Sequence, residues 1–194
     1  TGPGEVVYVS PKGKAQTVAS DVRTPNGLIL SPDEKTLYVS EYVPKNILSF
    51  NVEKNGALSA KKLFAQMDDG QPELKGADGM CADRAGNVYC AGPEDIWIWD
   101  SKGKLLDKIA CPERAVNCAF GGTQLRDLYL SGFGGVHVQR MKVSGVPAQP
   151  PPKWPDSQAS RPSVQVPEGV SPMLDRTYAE YGPRKMLADL FIPK

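Results

Sequence analysis

Thr24-Pro-Asn-Gly-Leu-Ile-Leu-Ser-Pro-Asp-Glu-Lys-Thr-Leu-Tyr-Val-Ser40 begins with a polar turn and enters a short apolar strand. It breaks at Ser-Pro-Asp-Glu-Lys and resumes as a second strand around Tyr38. The same grammar returns as Gly76-Ala-Asp-Gly-Met-Cys-Ala-Asp-Arg-Ala-Gly-Asn-Val-Tyr-Cys-Ala-Gly92. A third copy reads Val116-Asn-Cys-Ala-Phe-Gly-Gly-Thr-Gln-Leu-Arg-Asp-Leu-Tyr-Leu-Ser131. The leading polar residues Asn26, Asp78 and Asn117 stand 52 and then 39 positions apart. Short strands repeating at that period predict an all-β fold, a β-propeller with one blade per repeat. A propeller aims the first strand of every blade at one axis, so these three residues should converge.

Working outward, residues 5–9 and 14–19 read as the two outer strands of a blade. The next blade has strands near 27–31, 36–40, 46–51 and 61–65, and the one after near 79–82, 87–91, 95–99 and 104–109. A last blade starts near 117–120 and 127–131 and continues through 135–142. Val, Ile, Phe and Trp fill the strand interiors, and Asp, Asn and Gly punctuate the turns. Residues 1–146 therefore read as about three and a half blades. Closed propellers need at least four. Open blades leave unpaired edges and an exposed core, so the rest is expected from a missing N-terminal half or from a second chain. Residue 1 is Thr and the chain opens within a strand pattern, which favours the missing half.

Residues 147–194 have a different composition, with ten of the 18 prolines. Proline lacks the backbone donor, so this region is expected to build no sheet ladder. Residues 147–170 read as an extended linker, and Arg184–Ile192 as a short amphipathic helix or a docking strand.

Net charge is +1, so neither nucleic acid nor an anionic membrane surface is expected as a partner. No apolar run approaches the roughly 18–20 residues of a spanning helix. The cysteines at 81, 90, 111 and 118 lack paired zinc spacing and read as small buried thiols. Cys81 and Cys90 fall one residue out of register on neighbouring strands.

These phrases resemble the SMP-30/gluconolactonase/luciferin-regenerating-enzyme family. The likeness rests on Pro25-Asn-Gly27 with Ser31-Pro-Asp33 and Leu37-Tyr-Val39, and on Asp78-Gly-Met80 with Asp83, Gly86-Asn87 and Tyr89. Asn117-Cys-Ala-Phe-Gly-Gly122 with Leu128-Tyr-Leu130 completes it, and residues after 147 fall outside it. The resemblance implies a six-bladed propeller with this chain as its C-terminal half. It also implies hydrolysis of a sugar-acid lactone or related ester, and one divalent cation on the axis. Calcium is the usual ion, with Mg2+, Mn2+ or Zn2+ substituting. Asn26 and Asp78 match two of the family's metal ligands. A Glu ligand, a further Asn and an Arg near the substrate belong to parts of the family pattern outside this stretch.

Amide and carboxylate oxygens are hard donors suited to calcium or magnesium. With one His and no Cys/His cluster, a dedicated zinc site is not expected. In such a lactonase the metal polarises the carbonyl, and Asp78 is ligand and general base. No nucleophilic serine is needed, and Ser31 and Ser131 lack a Gly-x-Ser-x-Gly setting. Asn117 is expected to face the axis and contact substrate. Glu41 reads as a solvated loop carboxylate, His137 as a structural strand residue, and Trp97 and Trp99 as packing between blades. Asp33, Asp83 and Asp100 read as turn residues. A non-catalytic propeller that binds a ligand or protein partner is the other function class left open. An acidic residue on a first-blade inner strand would favour the hydrolase, an apolar one the binding module.

Overall fold

The computed structural model describes residues 4–10, 13–147, 170–181 and 184–193, with no helix among them. The chain divides into two compact units, Thr1–Ala148 and Gln149–Lys194.

In the first unit, strands β1 (Gly4–Val9) and β2 (Ala15–Val22) form a two-stranded antiparallel sheet. Strands β3 (Pro25–Leu30), β4 (Thr36–Glu41), β5 (Asn46–Val52) and β6 (Leu58–Gln66) make a four-stranded sheet in sequence order. A second four-stranded sheet holds β7 (Met80–Ala82), β8 (Val88–Ala91), β9 (Asp95–Trp99) and β10 (Leu105–Ala110). Three strands, β11 (Ala115–Gly121), β12 (Asp127–Gly132) and β13 (Val136–Arg140), complete the unit. Each sheet is a simple antiparallel meander, the pattern of propeller blades.

The turns form where the side chains bond their own backbone. Ser31 donates its hydroxyl to Asp33 at 2.7 Å, and the Asp100 carboxylate accepts from Lys102 and Lys104 N–H at 2.9 Å each. Asp83 goes further than a turn residue, because it is fully buried. It accepts from Ala85 N–H, Asn87 N–H, the Asn87 amide and the Tyr89 hydroxyl at 2.7–3.0 Å.

Alternating side chains from neighbouring sheets build three apolar layers. Val6 and Val22 meet Val39, Leu48 and Phe50 in the first. Tyr38, Ile47 and Met67 meet Val88, Trp97 and Trp99 in the second. Tyr89, Ile96 and Ile98 meet Cys118, Leu128 and Leu130 in the third. Trp97 and Trp99 lie between sheets as expected, stacked at 5.9 Å with Lys108 Nζ 3.4 Å from the Trp97 ring centre. Each fully buried side chain of this size contributes about 1.5–3 kcal/mol. The four thiols are free, and Cys90 and Cys118 are buried. Cys90 pairs with Met80 and Cys81 with Tyr89, the one-residue offset the sequence implies.

In the second unit, β14 (Val170–Tyr181) pairs antiparallel with β15 (Arg184–Pro193), from Val170↔Pro193 to Tyr181↔Arg184. This corrects the expectation that the Pro-rich region builds no ladder, and makes Arg184–Ile192 a strand rather than a helix. Seven of the region's ten prolines precede residue 170. Pro172 and Pro193 sit near strand ends in a ladder of only two strands, where each strand keeps a free edge that needs no proline donor. The linker expected at 147–170 lies almost wholly outside the described residues.

Candidate functional site

The three repeat residues lie at or just before the starts of three strands. Asn26 is the second residue of β3, Asp78 lies two residues before β7, and Asn117 is the third residue of β11. These are the leading strands of their sheets, and β7 lies against both β3 and β11. The glycine after each of the first two residues is needed for that closeness. A Cβ on Gly27 would stand 2.5 Å from the Asp78 carbonyl oxygen, and one on Gly79 would collide with the Asn117 side chain. Gly27 and Gly79 thus let backbone and polar side chains of adjacent sheets meet.

The Asp78 peptide is fastened from three sheets. Its N–H donates to Ala91 C=O at 2.9 Å, and the next N–H, of Gly79, donates to Val116 C=O at 2.9 Å. Its carbonyl accepts the Ser40 hydroxyl at 2.8 Å, and Ser40 Oγ in turn accepts the Gly27 N–H at 2.7 Å. Ser40 is fully buried, so one hydroxyl ties the Asn26-Gly27 strand to the Asp78 backbone. The approach to Asp78 is pinned as well. Lys45 and Asp69 form a buried ion pair, Lys45 Nζ donates to Gln71 C=O at 2.8 Å, and Asp69 accepts the Gln71 N–H at 3.0 Å.

The Asp78 side chain is 16% exposed. Burial pushes its carboxyl above the ordinary carboxylate range, opposed by the Arg114 charge, a hydrogen bond from the Asn26 amide and the Gly79 N–H. Arg114 Nη2 lies 3.9 Å from Asp78 Oδ2 and donates to the Tyr42 hydroxyl at 2.8 Å. Its guanidinium carbon is 5.6 Å from the Tyr42 ring centre. Asn117 Oδ1 accepts the Cys118 N–H at 2.9 Å.

The Asn26-Gly27 and Asp78-Gly79 segments therefore come together, and Asn117 packs on Gly79, the residue next to Asp78. As donors Asn26 and Asp78 are one amide and one carboxylate, a hard-oxygen pair whose chemistry fits calcium or magnesium. Among the described residues no group of three or more His, Cys, Asp or Glu could hold a metal ion. Glu41 differs from its expected role as a solvated loop carboxylate. It ends β4, is 4% exposed, and accepts the Arg23 N–H at 2.6 Å and the Asn46 amide at 3.1 Å. The strand end places it beside the Arg23 N–H, a main-chain donor that needs an acceptor. His137 lies on β13, its Nε2 3.8 Å from Glu113 Oε1.

Sequence reading missed Ser40, Tyr42 and Arg114. Each falls outside the repeated polar position, and only the folded pairing of separate sheets brings them to Asp78. Arg114 stands three residues before Asn117, the one sequence signal that linked it to the repeat.

Residues 1–133 match the SMP-30/Gluconolactonase/LRE-like region. A gluconolactonase of Zymomonas mobilis is 32% identical over 149 residues, covering 72% of this chain and 41% of that protein. The solved structure of XC5397 from Xanthomonas campestris, a gluconolactonase, superposes with a TM-score of 0.60 at 34% identity, covering 69% of this chain and 43% of that one. The calcium-binding protein regucalcin of Agrobacterium tumefaciens shares the fold, with a TM-score of 0.66 at 19% identity over 75% of this chain and 55% of that one. The chain spans less than half the length of the two gluconolactonases. By the match over residues 1–133, it belongs to the SMP-30/gluconolactonase/LRE-like family.

Proposed function

We propose that this chain forms part of a divalent-cation-dependent lactonase that opens a sugar-acid lactone or related ester. The observation that carries the reading is the close approach of the Asn26-Gly27 and Asp78-Gly79 segments at the head of adjacent leading strands, joined through the buried Ser40 hydroxyl. Membership of a family that includes gluconolactonases supports it. Asn26 and Asp78 would hold the cation, with calcium favoured by their hard oxygens. When bound, the cation supplies Lewis acidity at the lactone carbonyl and neutralises the developing oxyanion.

This chain's residues supply the remainder. Asp78, its side chain only 16% exposed, is placed to take a proton from the attacking water. The water oxygen adds to the acyl carbon, the ring C–O bond breaks, and the proton passes to the departing alkoxide, leaving a hydroxy acid. Asn26 orients the Asp78 carboxylate, and Asn117 offers an amide to the substrate beside it. Ser40 holds the Asp78 backbone so that the carboxylate keeps its aim.

The complete architecture we propose is a six-bladed propeller, with residues 1–146 supplying its later blades. Further blades, from more chain or a second chain, would cover the sheet faces that now expose Val9 (59%), Leu28 (57%) and Val136 (66%). They would bring the remaining ligand and substrate groups. Residues 147–194 are assigned to a Pro-rich linker and C-terminal tail rather than to those blades.

Calcium titration by calorimetry, on the wild type and on Asp78→Asn, tests the site. Binding weakened at least tenfold by the substitution, about 1.4 kcal/mol, is the expected result. A folded protein that binds no calcium would overturn the hydrolase reading and favour a non-catalytic binding module.

A further inference from the structure

The Arg114 guanidinium is set beside Asp78 without bonding it. Nη2 donates one hydrogen to the Tyr42 hydroxyl at 2.8 Å, and its distance of 3.9 Å from Asp78 Oδ2 is too long for a hydrogen bond. Arg114 Nε is buried with no partner. A guanidinium carries five N–H donors and no acceptor, so this one is under-used, and buried unpaired donors call for an explanation. Its position is nonetheless fixed. Tyr42 holds it through the hydroxyl and lies under it with the ring, across 72 residues of sequence. The Arg114 side chain remains 33% exposed.

A donor and an acceptor held that far apart form a slot for one oxygen that can both accept and donate. A hydroxyl meets that demand: it accepts from Arg114 Nη2 and donates to Asp78 Oδ2. An ether, a ring methylene or a bare carbonyl cannot do both. We propose that Arg114, anchored by Tyr42, is a specificity-determining residue that reads a hydroxyl of the substrate next to the reacting carbonyl. This rests on the lactonase reading, and it selects polyhydroxylated lactones over unsubstituted rings. Sites built to hydrogen-bond a hydroxyl discriminate strongly against analogues without it, because the site's own polar groups are left unpaired.

The test compares wild type, Arg114→Gln, Arg114→Lys and Tyr42→Phe in the full chain, on D-glucono-1,5-lactone and on unsubstituted δ-valerolactone. Loss of one charge-assisted hydrogen bond should raise KM for the hydroxylated lactone at least about tenfold in Arg114→Gln. Removing the Arg114 charge acts on Asp78 whichever lactone is bound, so the KM rise for the hydroxylated lactone should exceed any change for δ-valerolactone at least about tenfold. Arg114→Lys should recover part of the loss, and Tyr42→Phe should show a smaller rise than Arg114→Gln. Equal losses on both lactones, a fall in kcat alone, or lost calcium affinity would overturn the proposal in favour of a structural role. If the wild type opens neither lactone, the lactonase reading itself fails, and D-gluconate binding to the calcium-loaded chain decides Arg114 separately. Affinity present in wild type and lost in Arg114→Gln supports the hydroxyl slot; equal affinities, or none in wild type, reject it.

Discussion

Removing the Ser40 hydroxyl should loosen the joint on which the candidate site hangs. Ser40→Ala removes the hydroxyl that serves two main-chain groups, the Gly27 N–H at 2.7 Å and the Asp78 carbonyl at 2.8 Å, leaving the carbonyl only the weak Cys90 thiol at 3.8 Å. Ser40 is fully buried, so water does not replace the hydroxyl without rearrangement. An orphaned buried group costs about 1–3 kcal/mol, and two of them give a loss of up to about 2–6 kcal/mol. In a chain of this size each kcal/mol lowers Tm by roughly 2–4 °C. Urea unfolding of Ser40→Ala beside Thr17→Ala, whose exposed hydroxyl reaches only Glu5 at 3.3 Å, provides the comparison. The control should move stability by less than about 0.5 kcal/mol. Calcium affinity should fall in Ser40→Ala, because the Asp78 backbone loses its tie to the Asn26 strand. A stability loss under about 0.5 kcal/mol with unchanged calcium affinity would refute the bridging role.

The other expectations concern burial and charge. Asp83→Ala should cost more than about 3 kcal/mol in urea unfolding, since four donors lose one buried acceptor; a near-neutral result would mean water fills the site. Burial works to raise the Asp69 carboxyl, but the Lys45 ammonium and the Gln71 N–H outweigh it and hold the group below its ordinary 3.8. The Asp69 contribution to stability is therefore present above that value and lost as pH falls through the lowered folded one. Asp69→Asn should flatten the acid side of the urea-midpoint profile below about pH 4, and an unchanged slope would count against the pair. Hydrogen bonding with Cys118 and burial push the Cys81 thiol up, and burial does the same to Cys90. A thiol-disulfide reagent should modify both far more slowly in the native protein than in denaturant, whereas an immediate native burst from all four thiols would contradict their burial.

The blade strands were legible because alternation and turn chemistry are local. The expected 36–40, 46–51 and 95–99 correspond to β4, β5 and β9 within a residue or so. β6 begins at Leu58, earlier than the expected 61, because pairing with β5 shifts register between Ser49 and Asn51 and Ala60 takes a positive φ of 50°. Such a bulge hides the alternation on which strand reading depends. The convergence of Asn26, Asp78 and Asn117 was legible from repeat equivalence alone. Glu41 was not, because its burial depends on Arg23, 18 residues away. Arg114 and Tyr42 meet only through the packing of separate sheets. The β14–β15 hairpin was obscured by composition, since prolines that crowd the preceding segment made the whole region read as ladder-free.

Lactone opening in a pH-stat tests the central claim most directly, with wild type, Asp78→Asn and chelator-treated wild type run against the spontaneous rate. The expected result is calcium-dependent acid release that Asp78→Asn lowers at least about 100-fold. Equal rates in wild type and Asp78→Asn, or hydrolysis indifferent to the chelator, would contradict a metal-assisted reaction with Asp78 as its base.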